Sequence, residues 1–317
     1  MNPENLRTVR DAIAPGCVLR YDIESAAALD RARRFWEDPA TFDVVEPRMA
    51  ATVLLVSEAR PHHRAWERDD MGRLETPVLE PAEGPVDVYM LRRASTMAFV
   101  PDAVVFPGGG MDDQDYHFRA SWAGPSPDEW ARAMDCAPGV ARAVLVCAAR
   151  ELFEESGVLL ACDADGRIAR DGRGDHWTLE REAVAGRRQS FGDILAEAGL
   201  TLRSDWLHLR SHWVTPPSEP KRYNTYFLLA RLPEGQHADG RTSEAVESSW
   251  ITPNEAFHRF DDGFLKLVPP TISNLRSLAK AATVDEACAL PFDGHVCPRP
   301  RRLDDGRFVM ECEVRQS

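Results

Sequence analysis

At 317 residues with 44% hydrophobic side chains, the chain is long enough for one large domain, or one domain with a smaller appendage, and can bury a sizeable core. A formal net charge of −13 argues against a nucleic acid partner, because binding a polyanion requires a compensating basic face. No apolar run approaches the roughly 20 residues that span a bilayer, and seven cysteines without a Cys-x-x-Cys pair give neither a disulfide framework nor a zinc site.

The N-terminus, with Glu4 and Asp11 and no apolar signal region, leads us to expect a cytoplasmic protein with no membrane contact. Basic residues cluster locally at Arg92-Arg93, Arg187-Arg188 and Lys221-Arg222, which leaves room for a small anionic substrate. The sequence leaves the oligomeric state open, a homodimer included.

Residues 1–47 read as an N-terminal extension that covers one sheet edge, with a packing helix from Ser25 to Trp36. Ala50 to Val56 is an apolar, β-branched run of strand length. Residues 57–84 are polar and read as a surface loop, in which His62 and His63 fit solvated side chains better than ligands. Val86 to Leu91 makes a second strand, ending at Arg92-Arg93. Val104 to Phe106 is a short strand that delivers Gly108 and Gly109, where bare backbone can approach a metal or a phosphate.

An insertion at 116–138 carries its own helix start, Ser126-Pro127-Asp128-Glu129, with serine as N-cap, proline at the first helical position and a carboxylate two residues later. We expect it to cap the glutamate face of the next helix, where Val140, Val144 and Cys147 need cover. That helix ends in Arg150-Glu151-Leu152-Phe153-Glu154-Glu155-Ser156-Gly157-Val158. Glu151, Glu154 and Glu155 fall at i, i+3 and i+4, so three carboxylates rise from one face. Three like charges repel unless a cation sits among them, and hard divalent ions prefer such oxygen ligands. A solvated charged helix is the other explanation of such a segment. Leu145, Ala149, Leu152 and Phe153 lie half a turn away and would pack on a sheet. Arg150 can pair with Glu154 four residues on, and Gly157 stops the helix.

Further on, 163–176 is a Gly/Asp/Arg loop and two short helices are expected within 177–198, the second started by Ser190 with Asp193 and ended at Gly199. Trp206–Val214 and Tyr223–Leu232 read as partner strands broken by Thr215-Pro216-Pro217. Thr252-Pro253-Asn254-Glu255 caps another helix, and Val268-Pro269-Pro270-Thr271 opens a last one to about Ala282. The tail, 283–317, turns strand-like from Phe308.

The glycines and the glutamate run together resemble the Nudix box, G-x5-E-x7-R-E-U-x-E-E-x-G-U with U apolar. Its second half matches at every specified position from Arg150 to Val158. The first half departs: five residues on from Gly109 stands Asp115 rather than Glu, and 34 residues instead of seven then precede Arg150. A long insertion here is similar to the coenzyme A diphosphatase branch of the Nudix hydrolases. So are the phrases His212-Trp213-Val214-Thr215-Pro216 and Lys221-Arg222-Tyr223-Asn224-Thr225-Tyr226-Phe227. An Arg and a Gly frequent in that branch fall here on Ala98 and Asp102.

The resemblance implies a Nudix α/β/α sandwich with a mixed central sheet over 48–282. It implies a pyrophosphatase acting on a small nucleotide-type substrate, with Mg²⁺ or Mn²⁺ held by Glu151, Glu154, Glu155 and the Gly109 carbonyl. Glu247 or Glu244 would serve as general base, Arg150 would orient the glutamates, and Arg93, Arg222 and Tyr223 would meet the substrate. Coenzyme A or an acyl-coenzyme A comes first among substrates. ADP-ribose or NADH pyrophosphatase activity is the alternative within the same chemistry. A Nudix-fold nucleotide sensor without catalysis is the alternative of another class.

Overall fold

In a computed structural model that describes residues 18–23, 25–60, 62–63, 79–80, 82–95, 101–169, 175–240 and 245–313, the chain divides into two compact units. The smaller comprises the chain up to Ala50, Arg210–Tyr226 and the segment from Pro291 onward; the larger comprises Ala51–Leu209 and Phe227–Leu290. Both therefore draw on segments far apart in sequence.

The first elements are β1 (Val18–Asp22) and α1 (Ala26–Glu37), the helix starting where the Ser25 hydroxyl accepts from the Ala28 N–H at 3.1 Å. They are followed by β2 (Arg48–Glu58), the short β3 (His62–His63) and β4 (Leu79–Glu80), β5 (Val86–Arg93), β6 (Val104–Val105) and β7 (Gly108–Gly110). The side chains of His62 and His63, and all of Ala98, Phe99, Val100 and Glu244, lie outside the described residues. Next come α2 (Asp113–Tyr116), β8 (Ser121–Ala123), α3 (Pro127–Met134) and the long α4 (Pro138–Ser156), then β9 (Ala161–Cys162), α5 (Asp175–Ala185), α6 (Phe191–Glu197) and β10 (Thr201–Arg203). The chain finishes through β11 (Leu207–Val214), β12 (Tyr223–Arg231), β13 (Ala245–Ile251), α7 (Pro253–Asp261), α8 (Pro269–Leu278), α9 (Val284–Cys288), β14 (His295–Val296), β15 (Arg299–Arg302) and β16 (Phe308–Glu313).

In the larger unit a sheet runs β13-β5-β2-β12, with β6 on β5 and β7 on β2. β5 is antiparallel to both neighbours: Val88 faces Ile251 on one side and Val56 on the other. Strand β2 is apolar along its middle because both of its faces are covered, and Val53, Leu54, Leu55 and Val56 are at most 1% exposed. In the smaller unit, β14 lies parallel to β11, with His212 beside His295, so the central sheet is mixed, as expected.

The first and last of the described strands meet each other. β1 pairs antiparallel with β16, and β16 with β15, in a separate three-stranded sheet. The N-terminal extension, expected to cover a sheet edge, builds one small sheet with the tail, and α1 contributes the buried Ala32 and Phe35. A pairing between segments almost 300 residues apart leaves no local periodicity to find.

The insertion is woven into the larger unit. β8 is parallel to β10, which is antiparallel to β9. Phe118 and the partly buried Trp122 pack with Val146, Ala149, Phe153, Phe191 and Leu195. Those α4 residues lie about half a turn from the glutamates, so Phe118 and Trp122 cover the back of the helix. α3 starts at the Ser126/Glu129 capping box and buries Trp130, Ala131 and Met134, and it packs against α4. Deleting 118–136 would remove β8 and expose Phe153, whose burial is worth about 1.5–3 kcal/mol alone. We therefore expect the deletion to fail to melt cooperatively; a cooperative transition within a few degrees of the parent would sink this reading. Among the described residues, no helix is long and apolar enough to cross a membrane.

Candidate active site

Helix α4 carries the site. Pro138 occupies its first turn, and Gly157 ends it at φ 75°, a left-handed conformation that favours glycine, with its N–H on the Phe153 carbonyl at 2.8 Å. Most of the helix is buried, including Leu145, Ala149, Leu152 and Phe153. This rigid support fixes where Arg150, Glu151, Glu154 and Glu155 project.

Arg150 is the hub. Its Nε and Nη2 grip the two oxygens of Asp115 at 2.9 and 3.0 Å, while Nη1 donates to Glu151 Oε1 and Glu154 Oε1, both at 2.8 Å. Nη2 also reaches the Gly110 carbonyl at 3.0 Å. Burial by itself would lower the pKa of this guanidinium, but its hydrogen bonds to Asp115 and the charge of Glu151 outweigh it and drive the pKa up. Arg150 therefore stays charged.

Asp115 answers the question its short side chain poses. It is 1% exposed and stands third in the first turn of α2, where it accepts from the Asp112 N–H at 2.8 Å and completes a capping box. Helix α2 brings the carboxylate to Arg150, so aspartate makes the bidentate pair itself.

The glycine strand meets the same helix. Glu155, 6% exposed, accepts from the Gly108 N–H at 2.7 Å. A Cβ on Gly109 would lie 2.6 Å from the Glu151 carboxylate oxygens, whereas one on Gly108 would lie 2.5 Å from the Ala51 carbonyl. The first neighbour is the end of a flexible side chain and the second is backbone. Gly109→Ala should therefore leave the melting temperature nearly unchanged while weakening Mn²⁺ binding, and Gly108→Ala should lower the melting temperature. Calorimetry on both variants checks this, and the reverse ranking would contradict it.

The structure thus brings together Gly109, Arg150, Glu151, Glu154 and Glu155. Among the described residues, no three acidic, histidine or cysteine side chains are already gathered as a metal cage. The donor chemistry nevertheless suits a hard divalent ion: carboxylates, a backbone carbonyl, and a glycine that leaves room beside Glu151. Loading would require the carboxylates to turn partly from Arg150.

The remaining candidates lie elsewhere. Glu247 faces Arg92 across β13 and β5, with Oε2 3.4 Å from Arg92 Nε. Arg93 ends β5, and its Nε is buried with no hydrogen-bond partner among the described residues. Arg222 and Tyr223 belong to the smaller unit. Arg222, 8% exposed, donates to the carbonyls of Thr215 and Val45 at 3.0 and 2.8 Å; Lys221 Nζ stands 5.7 Å from the Tyr223 ring centroid.

Two further neighbours meet at this helix, of which the sequence reading placed Cys147 on the glutamate face and did not single out Arg181. Cys147, one turn before Arg150, takes a 3.4 Å contact from Arg150 Nη2 and is buried, which raises its thiol pKa. Arg181 of α5 donates to the Glu154 carbonyl at 2.7 Å and to Asp239 at 2.5 Å, satisfying one of the last carbonyls of α4. Nothing in its local sequence distinguishes it from a surface arginine.

The NUDT19 Nudix domain family matches residues 127–278, from α3 through α8. This stretch resembles the Nudix hydrolases. It is 29% identical to an acyl-coenzyme A diphosphatase NUDT19 of Gallus gallus over 246 residues, covering 64% of each chain. It is 28% identical to the Homo sapiens protein of that name over 279 residues, covering 75% of this chain and 70% of that one. The chain spans about two thirds of the length of these curated relatives. A crystal structure of a Nudix hydrolase from Alicyclobacillus acidocaldarius shares the fold, with TM-score 0.59 and 24% identity over 80% of this chain and all of that one. Nudix hydrolases generally use divalent metals.

Proposed function

We propose that this Nudix hydrolase cleaves the diphosphate of a nucleotide-linked compound, with coenzyme A or an acyl-coenzyme A as its substrate. The observation that carries the reading is the Arg150 hub, which holds Asp115, Glu151 and Glu154 at once beside the glycine strand. The coenzyme A assignment draws support from the names of the relatives and from the long insertion inside the box.

Mg²⁺ or Mn²⁺, held by Glu151, Glu154, Glu155 and the Gly109 carbonyl, would supply polarisation of the phosphoryl oxygens and activation of water. Glu247 or Glu244 takes the proton as water adds to phosphorus. One phosphoanhydride P–O bond breaks and two phosphate monoesters leave, so each turnover consumes one water. Arg150 holds the glutamates on one face of α4. Arg93 is offered as a substrate contact, because a buried guanidinium nitrogen without a hydrogen-bond partner among the described residues favours an incoming anion. Arg222 already serves the Thr215 and Val45 carbonyls within the smaller unit.

The test is hydrolysis by purified protein of coenzyme A, acetyl-coenzyme A, ADP-ribose, NADH and a nucleoside triphosphate, with Mg²⁺, with Mn²⁺ and with EDTA. We expect turnover of the coenzyme A compounds that EDTA abolishes and added metal restores. Preference for ADP-ribose or NADH would replace the substrate assignment, and binding without turnover would replace the enzyme reading with a sensor.

A further inference from the structure

The smaller unit holds a cavity of about 580 Å³, within the range of small-molecule sites. Its walls are apolar: Phe35, Trp36, Pro39, Val214, Val296 and Pro300. Trp36 is 40% exposed, although its size makes burial favourable.

Two cations border these walls. Arg299 and Arg301 are two residues apart on β15, so they project from the same face of the strand. The Arg301 guanidinium carbon stands 5.6 Å from the centroid of the Trp36 ring. The acidic lining residue Glu311 is paired with Arg20 at 2.8 Å. His295 forms another part of the wall and is braced from behind by His212, itself stacked on Tyr226 with ring centroids 3.9 Å apart. Among the described residues, the lining contains no asparagine, glutamine, serine or threonine that could read the edge of a nucleotide base. An apolar wall with a cationic rim is suited to a chain that carries a negative head.

We propose that this cavity is a binding site for an amphipathic anion of the fatty-acylate class, its chain against Phe35, Trp36 and Val296 and its carboxylate at Arg299 and Arg301. The site is formed by segments from both ends of the chain, and the proposal does not rest on the hydrolytic reading.

Calorimetry on the full chain tests it with dodecanoate below its micelle concentration, beside dodecyltrimethylammonium, which has the same chain and the opposite head, acetate, which has no chain, and AMP. We expect one dodecanoate per chain and little binding of the other three. The exposed pair Arg299→Glu/Arg301→Glu should weaken dodecanoate at least tenfold without lowering the melting temperature of the free protein. Val214→Phe, which narrows the cavity and leaves the rim intact, should weaken it as well. No dodecanoate binding to the folded parent, equal affinity for dodecyltrimethylammonium, or undiminished binding in the charge-reversed variant would each overturn the site, as would AMP binding in its place.

Discussion

Arg150→Met should destabilise the protein by about 3–5 kcal/mol, the cost of leaving one partner of a buried ion pair uncompensated. Asp115 is 1% exposed and both its oxygens are held by Arg150. Without the guanidinium, Asp115 must be buried as an unpaired charge or be protonated, and the repulsion among Glu151, Glu154 and Glu155 loses its counter-charge as well. Urea unfolding at neutral pH measures the effect. Removing the acid too, in Arg150→Met/Asp115→Asn, should recover part of the loss, because the orphaned charge disappears. If the single variant unfolds within 1 kcal/mol of the parent, the hub is not the structural centre described above. Arg150→Lys separates charge from geometry: lysine keeps the positive charge but cannot hold Asp115 with two nitrogens and serve Glu151 and Glu154 as well. It should retain more stability than methionine and still lose turnover.

The second large effect is expected at Glu154. Glu154→Gln removes one charge and little volume, and the amide oxygen can still accept from Arg150 Nη1. Its side chain is 15% exposed, so the fold should hold. Turnover should nevertheless fall by about two to three orders of magnitude, equivalent to the several kcal/mol that a well-held metal contributes, at 1.36 kcal/mol per tenfold change. Mn²⁺ affinity, followed by electron paramagnetic resonance without substrate, should fall in parallel. An unchanged kcat with an unchanged melt would remove Glu154 from the proposed chemistry. Weakened Mn²⁺ binding with unchanged kcat would instead confine it to metal capture.

The sequence by itself determined the features set by local spacing. Glu151, Glu154 and Glu155 share a face because a helix turns every 3.6 residues, and Gly157 ends that helix because glycine accepts φ 75°. Ser126 with Glu129, Ser190 with Asp193 and Thr252 with Glu255 mark helix starts that form as read, since a cap needs partners only a few residues away.

Tertiary structure decided whatever depends on distant partners. Asp115 is one carbon shorter than the Glu of the box, yet α2 carries it to Arg150 across 35 positions of sequence. Phe118 and Trp122 of the insertion pack with Val146, Ala149 and Phe153, distant partners that local spacing does not name. Arg181 reaches the Glu154 carbonyl from 27 positions away, and the first and last described strands close a sheet that neither encodes alone. Spacing can place charges on one face of a helix, but packing decides which distant group meets them.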